Sequence, residues 1–517
     1  MYLEGDMLRV SSDSEIVVYD SANILTSNHE LYKKSSADTE YLTTVPNFGE
    51  NYLASNLDYV NSKTGERVPL APRSRKFTTK NQGIRILAFG FIFDFAGNYN
   101  NTIVQSVERT VSEPWFQDAI RDRDVDLFLV IGHVPARSKE YTAIHRAIRA
   151  VNWDTPIQFF GGHTHIRDYK IYDSQSVALM SGRYMETIGF MSIEGLGTGR
   201  KATKGAAGLK FERMYIDNNL YSFHHHTQLN DSTFPTTHGL TVSKYIAHAR
   251  KTLKLDSVHG CAPRDLWLFR ARYGSRGSIY TWLEDNVLSD TVVDKERADK
   301  PRITIANTGA IRFDIFKGPF TRDTAFIVSP FTSTFRYIRD VPYDVAAKLI
   351  RLINNEEPIL ADAGATMPFS ALRPPEQMSI VEDVVVEEMP LLDYDERVHG
   401  DQVRFGQHHG QGDEEPSLTP GYTTKDDLGD NGDDTLHTMA SNYRVPNCIQ
   451  GNASFPHNRA PDQVDLVFLD FVEPYILLAL RFLGQEYSPK DVQSYMGNET
   501  LTTVITQWVE RNWDTGC

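Results

Sequence analysis

Apolar runs that end on glycine and histidine alternate with helical patterns through the first half of the chain. IRILAFGFIFDF, residues 84–95, reads as a buried strand. SVERTVSEPWFQDAIRD, residues 106–122, has helical spacing, with Val107, Val111, Trp115, Phe116 and Ile120 near one face. VDLFLVIGH (125–133) is a β-rich run, EYTAIHRAIRAV (140–151) a second helix, and PIQFFGGHTH (156–165) a further strand ending on Gly-Gly-His. This strand–helix–strand rhythm predicts an α/β layer architecture. Loops at strand C-termini carry the chemistry in such layers.

Strand patterns return at LKFERMYID (209–217) and LYSFHHHT (220–227). The polar stretch QLNDSTFPTTHG then marks a boundary, which predicts domains at 1–230 and 238–517. In the second, LTVSKYIAHARKTLKL (240–255), GSIYTWLEDNVL (277–288) and PYDVAAKLIRLINN (342–355) are helical patterns. RITIANTGAIRFDIFKGPF (302–320) mixes a strand with a glycine turn. From about 385 to 440 the composition turns polar and acidic, as in a solvated loop or insertion.

A length of 517 residues fits two domains better than one core. The formal net charge of -15 leaves no basic excess for phosphate backbones, which argues against a nucleic-acid partner. It leaves small phosphorylated ligands open. YILLALRFLG (475–484) is too short to span a membrane and contains Arg481. The N-terminal segment lacks the basic-then-apolar pattern of a secretory leader. Cys261, Cys448 and Cys517 allow one bridge plus a thiol, or three thiols.

Three loops carry the candidate chemistry. Asn28-His29 follows the strand-like VVYDSANILT, His133 follows LFLVIG, and His163 and His165 follow IQFFGG. Each polar group sits where a strand surfaces, next to small residues that let the backbone turn closely. Imidazoles and a carboxamide oxygen suit borderline ions such as Zn, Mn, Fe or Co. Two such ions polarise a phosphoryl group and generate a nucleophilic hydroxide.

SNHELY, VIGHVP and GGHTHIRD resemble the third, fourth and fifth blocks of the calcineurin-like metallophosphoesterases, whose forms are GNH[ED], GH and GHxH. Their order, and the domain after them, resemble the 5'-nucleotidase branch. GRYMETIGFMSIEG is similar to its fungal members. The resemblance implies a metallophosphoesterase β-sandwich of four layers with flanking helices, then an α/β domain for substrate recognition. It implies two divalent ions, with Asn28, His133 and His163 on one and His165 on the other. His29 is implied as the group that stabilises the transition state or protonates the leaving alkoxide, a role for an imidazole that is cationic near neutral pH. Arg183, Glu186 and Asp168 are candidates to support the histidine loop. For a full-length member, the resemblance implies a secreted or vacuolar location.

The family form also opens with D-x-H and a GD block, which supply the first ion's ligands and a bridging carboxylate. No D-x-H precedes Asn28, and Gly5-Asp6 is the one GD pair there, closer to Asn28 than the family spacing. Asp6 is either that bridge or an exposed acid. Ser27 stands where the family has glycine, and Tyr32 where many nucleotidases have aspartate. The expectation is a truncated start, one ion or none held tightly where a complete member holds two, and impaired activity.

NTGAIRFDIFKGPFTRDTAFIVSPF (307–331) resembles the NGGxR…PF segment of the nucleotidase C-terminal domain. That match puts Asn307 and Arg312 on the nucleoside and stacks Phe331 on the base. The plainer reading is a turn with a surface arginine and a core phenylalanine. GYTTKDDLGDNGDD (421–434) stands where a second stacking aromatic is usual, through Tyr422 and Asp433, or is an acidic loop. The function implied is hydrolysis of a nucleotide phosphate ester. The rivals are a non-catalytic nucleotide binder and a phosphodiesterase or protein phosphatase.

Overall fold

The computed structural model describes residues 7–10, 16–19, 29–61, 63–197, 209–355, 369–377, 418–421, 440–456 and 459–517. These form two compact units, one with the described residues up to Phe234, the other with those from Pro235 onward.

The first unit is built on six strands: β1 (Ser74–Thr78), β2 (Arg85–Ile92), β3 (Leu127–His133), β4 (Ile157–Phe160), β5 (Arg167–Asp173) and β6 (Ser176–Ser181). Their order is β5-β6-β4-β3-β2-β1. The inner pairs β2/β3, β3/β4 and β4/β6 are parallel, and the two edge pairs are antiparallel. The inner strands are apolar on both faces, which explains their unbroken sequence runs. Phe89, Phe91, Phe128, Val130 and Phe159 share one cluster, while Ile86, Ala88, Leu127, Leu129 and Ile131 share another. Helix α1 (Lys139–Val151) covers the first face through Tyr141, Ile144 and Ile148, at helical spacing and fully buried. Ser138 caps it, accepting from Tyr141 N at 3.2 Å. Burying each of those phenylalanines contributes about 1.5–3 kcal/mol. A one-residue slip would turn them to the opposite face, so this packing also fixes where each strand ends.

Two expectations fail in this unit. Residues 106–122 form two short helices, Val107–Thr110 and Pro114–Ala119, rather than one. Pro114 has no N–H to continue the first helix, but its fixed φ suits the first turn of the second. Residues 220–227 are helix, not strand. After a hairpin of β7 (Thr187–Glu194) and β8 (Lys210–Asp217), helix α2 (Leu220–Thr227) begins where Asn219 Oδ1 accepts from Ser222 N at 2.9 Å. That cap outweighs the period-two pattern.

In the second unit, helix α3 (Thr237–Leu253) precedes β9 (Val258–Ala262), β10 (Arg302–Asn307), β11 (Gly318–Thr321) and β12 (Phe335–Pro342). Then come α4 (Tyr343–Asn354), β13 (Cys448–Ala453), β14 (Gln463–Leu469), α5 (Glu473–Phe482), β15 (Gln493–Ser494) and α6 (Leu501–Asn512). The main sheet has the order β13-β10-β14-β12-β15, with β10 and β14 parallel at its centre. YILLALRF, residues 475–482, lies in α5 and packs into the core, with Ile476, Ala479 and Leu480 fully buried. Among the described residues, no helix is long and apolar enough to cross a membrane. A disulfide joins Cys261 to Cys517, and Cys448 is a buried thiol that burial pushes up in pKa.

Candidate functional site

In the first unit, β2, β3 and β4 run parallel and surface at one edge, with Ile92 paired to His133 and Ile131 to Phe160. Strand ends of a parallel sheet are where loops converge. Gly132 is needed there because a Cβ would lie 2.5 Å from Tyr141 Oη, which passes it to donate to Phe160 O at 2.7 Å. Gly161 is needed because a Cβ would lie 2.6 Å from Val134 O.

This edge brings His133 and His163 together, with His133 Nε2 and His163 Nδ1 3.0 Å apart. Phe93, just beyond β2, stacks on the His163 ring with centroids 4.2 Å apart and planes at 23°. His163 and His165 have φ of 75° and 60°, left-handed values that non-glycine residues avoid. The HTH segment is therefore not extended, and side chains two apart do not share a face. His165 turns to Tyr184, with ring centroids 6.5 Å apart.

The surroundings of the loop are polar and tied down. Arg137 Nε reaches both Asp168 carboxylate oxygens, at 3.1 and 3.0 Å, and its Nη2 donates to Tyr169 O at 3.0 Å. This fork joins the loop after β3 to the start of β5 and so brackets the histidines. Glu186 accepts from Arg183 N at 3.1 Å, and burial pushes its carboxyl up. Phe93 and Arg137 were not legible as site residues from the sequence. The signal for Phe93 was its place just after the end of a buried strand.

Two imidazole nitrogens 3.0 Å apart hydrogen-bond when one carries a proton. Two bonds of about 2.0–2.1 Å to one ion, meeting near a right angle, give the same separation. The separation alone is what either a hydrogen bond or a shared ion would give. Among the described residues, no group of three or more His, Cys, Asp or Glu is placed to hold a metal. Asn28 and Asp6 lie outside the described residues, and of His29 only the backbone is described, in a single 3-10 turn with Glu30 and Leu31. Buried Leu31 anchors that turn, its carbonyl accepting from Tyr99 N at 2.7 Å.

In the second unit, β10 ends at Asn307 and enters the turn Thr308–Ala310. Thr308 Oγ1 donates to Pro446 O at 2.7 Å. Gly309 lies so close to the backbone of Leu372 and Arg373 that a Cβ would meet Arg373 O at 2.8 Å. Asn307 is 5% exposed, and among the described residues its Oδ1 has no hydrogen-bond partner. Arg312 is buried rather than a surface residue, and Phe331 is half-buried. The Arg312 guanidinium carbon sits 4.9 Å from the centre of the Phe331 ring, a cation–π contact. Buried Arg373 lies over the same turn and was not singled out in the sequence. Tyr422 and Asp433 lie outside the described residues.

Residues 265–477 match the family model described as the NAD nucleotidase C-terminal domain. A 5'-nucleotidase from Candida albicans has a similar structure, with a TM-score of 0.74 and 35% identity, covering 94% of this chain and 82% of that one. An uncharacterized protein of Schizosaccharomyces pombe is 34% identical over 99% of this chain and 83% of its own length. A protein of Arthroderma benhamiae named "Secreted protein" is 36% identical over 93% of this chain and 76% of its own. The fold is that of the α/β metallophosphoesterases that carry a second, C-terminal α/β domain. Within that class the chain belongs to the 5'-nucleotidase family, a family of nucleotide phosphoester hydrolases.

Proposed function

We propose that the chain is a metal-dependent phosphoric ester hydrolase that acts on nucleotides, as a 5'-nucleotidase does. The observation that carries this reading is the His133–His163 pair, 3.0 Å apart at the carboxyl edge of a parallel sheet. Asn28, His133 and His163 would hold one divalent ion and His165 would help hold a second. Bound ions supply a Lewis acid for a phosphoryl oxygen and a hydroxide at neutral pH. Stacking by Phe93 and the Arg137–Asp168 fork keep the imidazoles in place before substrate arrives. His29 donates a proton to the leaving alkoxide. In the second unit, Arg312 offers its fork of donors to ribose or phosphate oxygens and Phe331 stacks on the base. Asn307 Oδ1, buried and without a partner among the described residues, accepts from a nucleoside donor.

The test is phosphate release from AMP by the purified chain, with metal analysis of the same sample. The expected result is at least one ion per chain, with turnover abolished by a chelator and restored by Mn or Zn. His133→Ala and His163→Ala should each lower kcat at least about a hundredfold. Turnover indifferent to the chelator and to both substitutions would refute the reading. The rival, a nucleotide binder without turnover, would retain AMP after chelation and release no phosphate. For location, the Cys261–Cys517 bridge and the name of the Arthroderma relative support secretion. Immunoblots should then find the protein in the medium rather than in the cell lysate.

A further inference from the structure

We propose that Thr502, in the first turn of the C-terminal helix, is a positioning residue that sets the base-stacking ring of Phe331. The proposal rests on the reading of Phe331 and Arg312 as nucleoside contacts. Phe331 sits at the end of a short strap, Ser329-Pro330-Phe331, which leaves the helix Arg322–Val328 where Ser329 N donates to Ala325 O at 3.0 Å. Pro330 has no N–H, so the strap cannot fix itself by a turn hydrogen bond at that residue. Its fastening comes from two other parts of the unit.

The first is Arg312, whose N–H donates to Val328 O at 2.8 Å while its guanidinium lies over the Phe331 ring. The second is α6. Thr502 Oγ1 donates to Ser329 O and lies 3.4 Å from Phe331 O. One hydroxyl thus gathers the carbonyls on both sides of Pro330. That closes the bend and fixes the direction in which the Phe331 side chain leaves the backbone. Thr502 is 7% exposed and Ser329 1%, so water is a poor substitute. The first helical turn also has no preceding helical carbonyl to compete for the hydroxyl.

The same end of α6 fastens the next residues. Thr500, its N-cap, bridges to Thr334. Thr334 N and Oγ1 both donate to Asp470 Oδ2, at 3.1 Å, and Asp470 N returns a bond to Thr334 O at 2.9 Å.

The experiment compares equilibrium binding of AMP and of ribose 5-phosphate, which has the phosphate and sugar without the base, to the full chain by calorimetry in a chelator that stops turnover. Thr502→Val removes the hydroxyl at constant shape and Thr502→Ser keeps it. Phe331→Ala is the reference. Thr502→Val should weaken AMP about five- to tenfold and leave ribose 5-phosphate unchanged. Thr502→Ser should restore AMP binding. In the Phe331→Ala background the valine substitution should have no further effect on AMP. Equal weakening of both ligands, or no restoration by serine, overturns the proposal and leaves Thr502 a purely structural residue. So does unchanged AMP affinity in Thr502→Val when Phe331→Ala weakens it. If Phe331→Ala itself leaves AMP unchanged, the stacking reading fails first, and that pattern is distinct from the others.

Discussion

At the scale of single residues, the site is built at a local conformational cost. His163 and His165 both sit in the left-handed region, where a side-chain-bearing residue is disfavoured by roughly 1–2 kcal/mol. Glycine pays no such penalty. His165→Gly should therefore melt no lower than the wild type in a chelator, and higher by the equivalent of about 1 kcal/mol, whereas His165→Ala should not gain. Differential scanning calorimetry of both variants decides it, and a gain for alanine would mean that the strain lies elsewhere. The histidines themselves were legible because each follows a strand pattern and a glycine. The strain, the Phe93 stack and the Arg137–Asp168 fork were not, since they arise from residues far apart in sequence that the register of β2, β3 and β4 brings together. Arg312 was legible as a residue, but nothing in NTGAIR shows that its guanidinium is buried over Phe331.

At the scale of elements, parallel strands were easy to read because burial on both faces leaves unbroken apolar runs. Helices with polar caps and few buried positions were harder. Residues 220–227 bury only Ser222, so no apolar stripe announces the helix and the capping Asn219 decides it. Residues 277–288 were legible as a helical pattern, but the π-helical winding of Leu283–Leu288 was not. It carries Glu284 into the core beside Tyr273, whose hydroxyl donates to the carboxylate. Burial, with Asp285 nearby, pushes the Glu284 carboxyl up to about 7, and hydrogen bonds from Tyr273 and Gln450 N–H offset only part of that. The folded state thus holds this proton more tightly than the unfolded chain, where a glutamate titrates near about 4.3. Its contribution to stability is complete below that value, shrinks as pH rises, and is gone above about 7. Glu284→Gln, which still accepts from Tyr273, should therefore raise stability by about 1–2 kcal/mol at pH 8 and change little at pH 4. Urea melts at the two pH values check this, and an equal effect at both would rule out ionisation of Glu284 as the cause.

At the scale of the whole molecule, sequence patterns gave an α/β class with a polar stretch between two halves, and the structure forms two compact units. Sheet order in the second unit was not legible, because β10 and β14 pair across more than a hundred intervening residues. The sulfur bridge was left open for the same reason, since Cys261 and Cys517 are separated by 256 positions. It fastens the end of α6 where Gly260 packs closely on Val509 and Trp513, and where Cys261 N donates to Asp514 O at 2.6 Å. Closing so long a loop stabilises by about 3–5 kcal/mol on a chain-entropy account. The Cys261→Ser/Cys517→Ser variant should accordingly melt several degrees lower than the oxidised protein, and a reductant should have no further effect on it. Equal melting temperatures would show that the bridge adds nothing beyond the packing around it. There is also a consequence for proteolysis. A cut anywhere between Cys261 and Cys517 leaves two pieces that cannot diffuse apart. On a denaturing gel without reductant the nicked chain should run as one band, and with reductant as two.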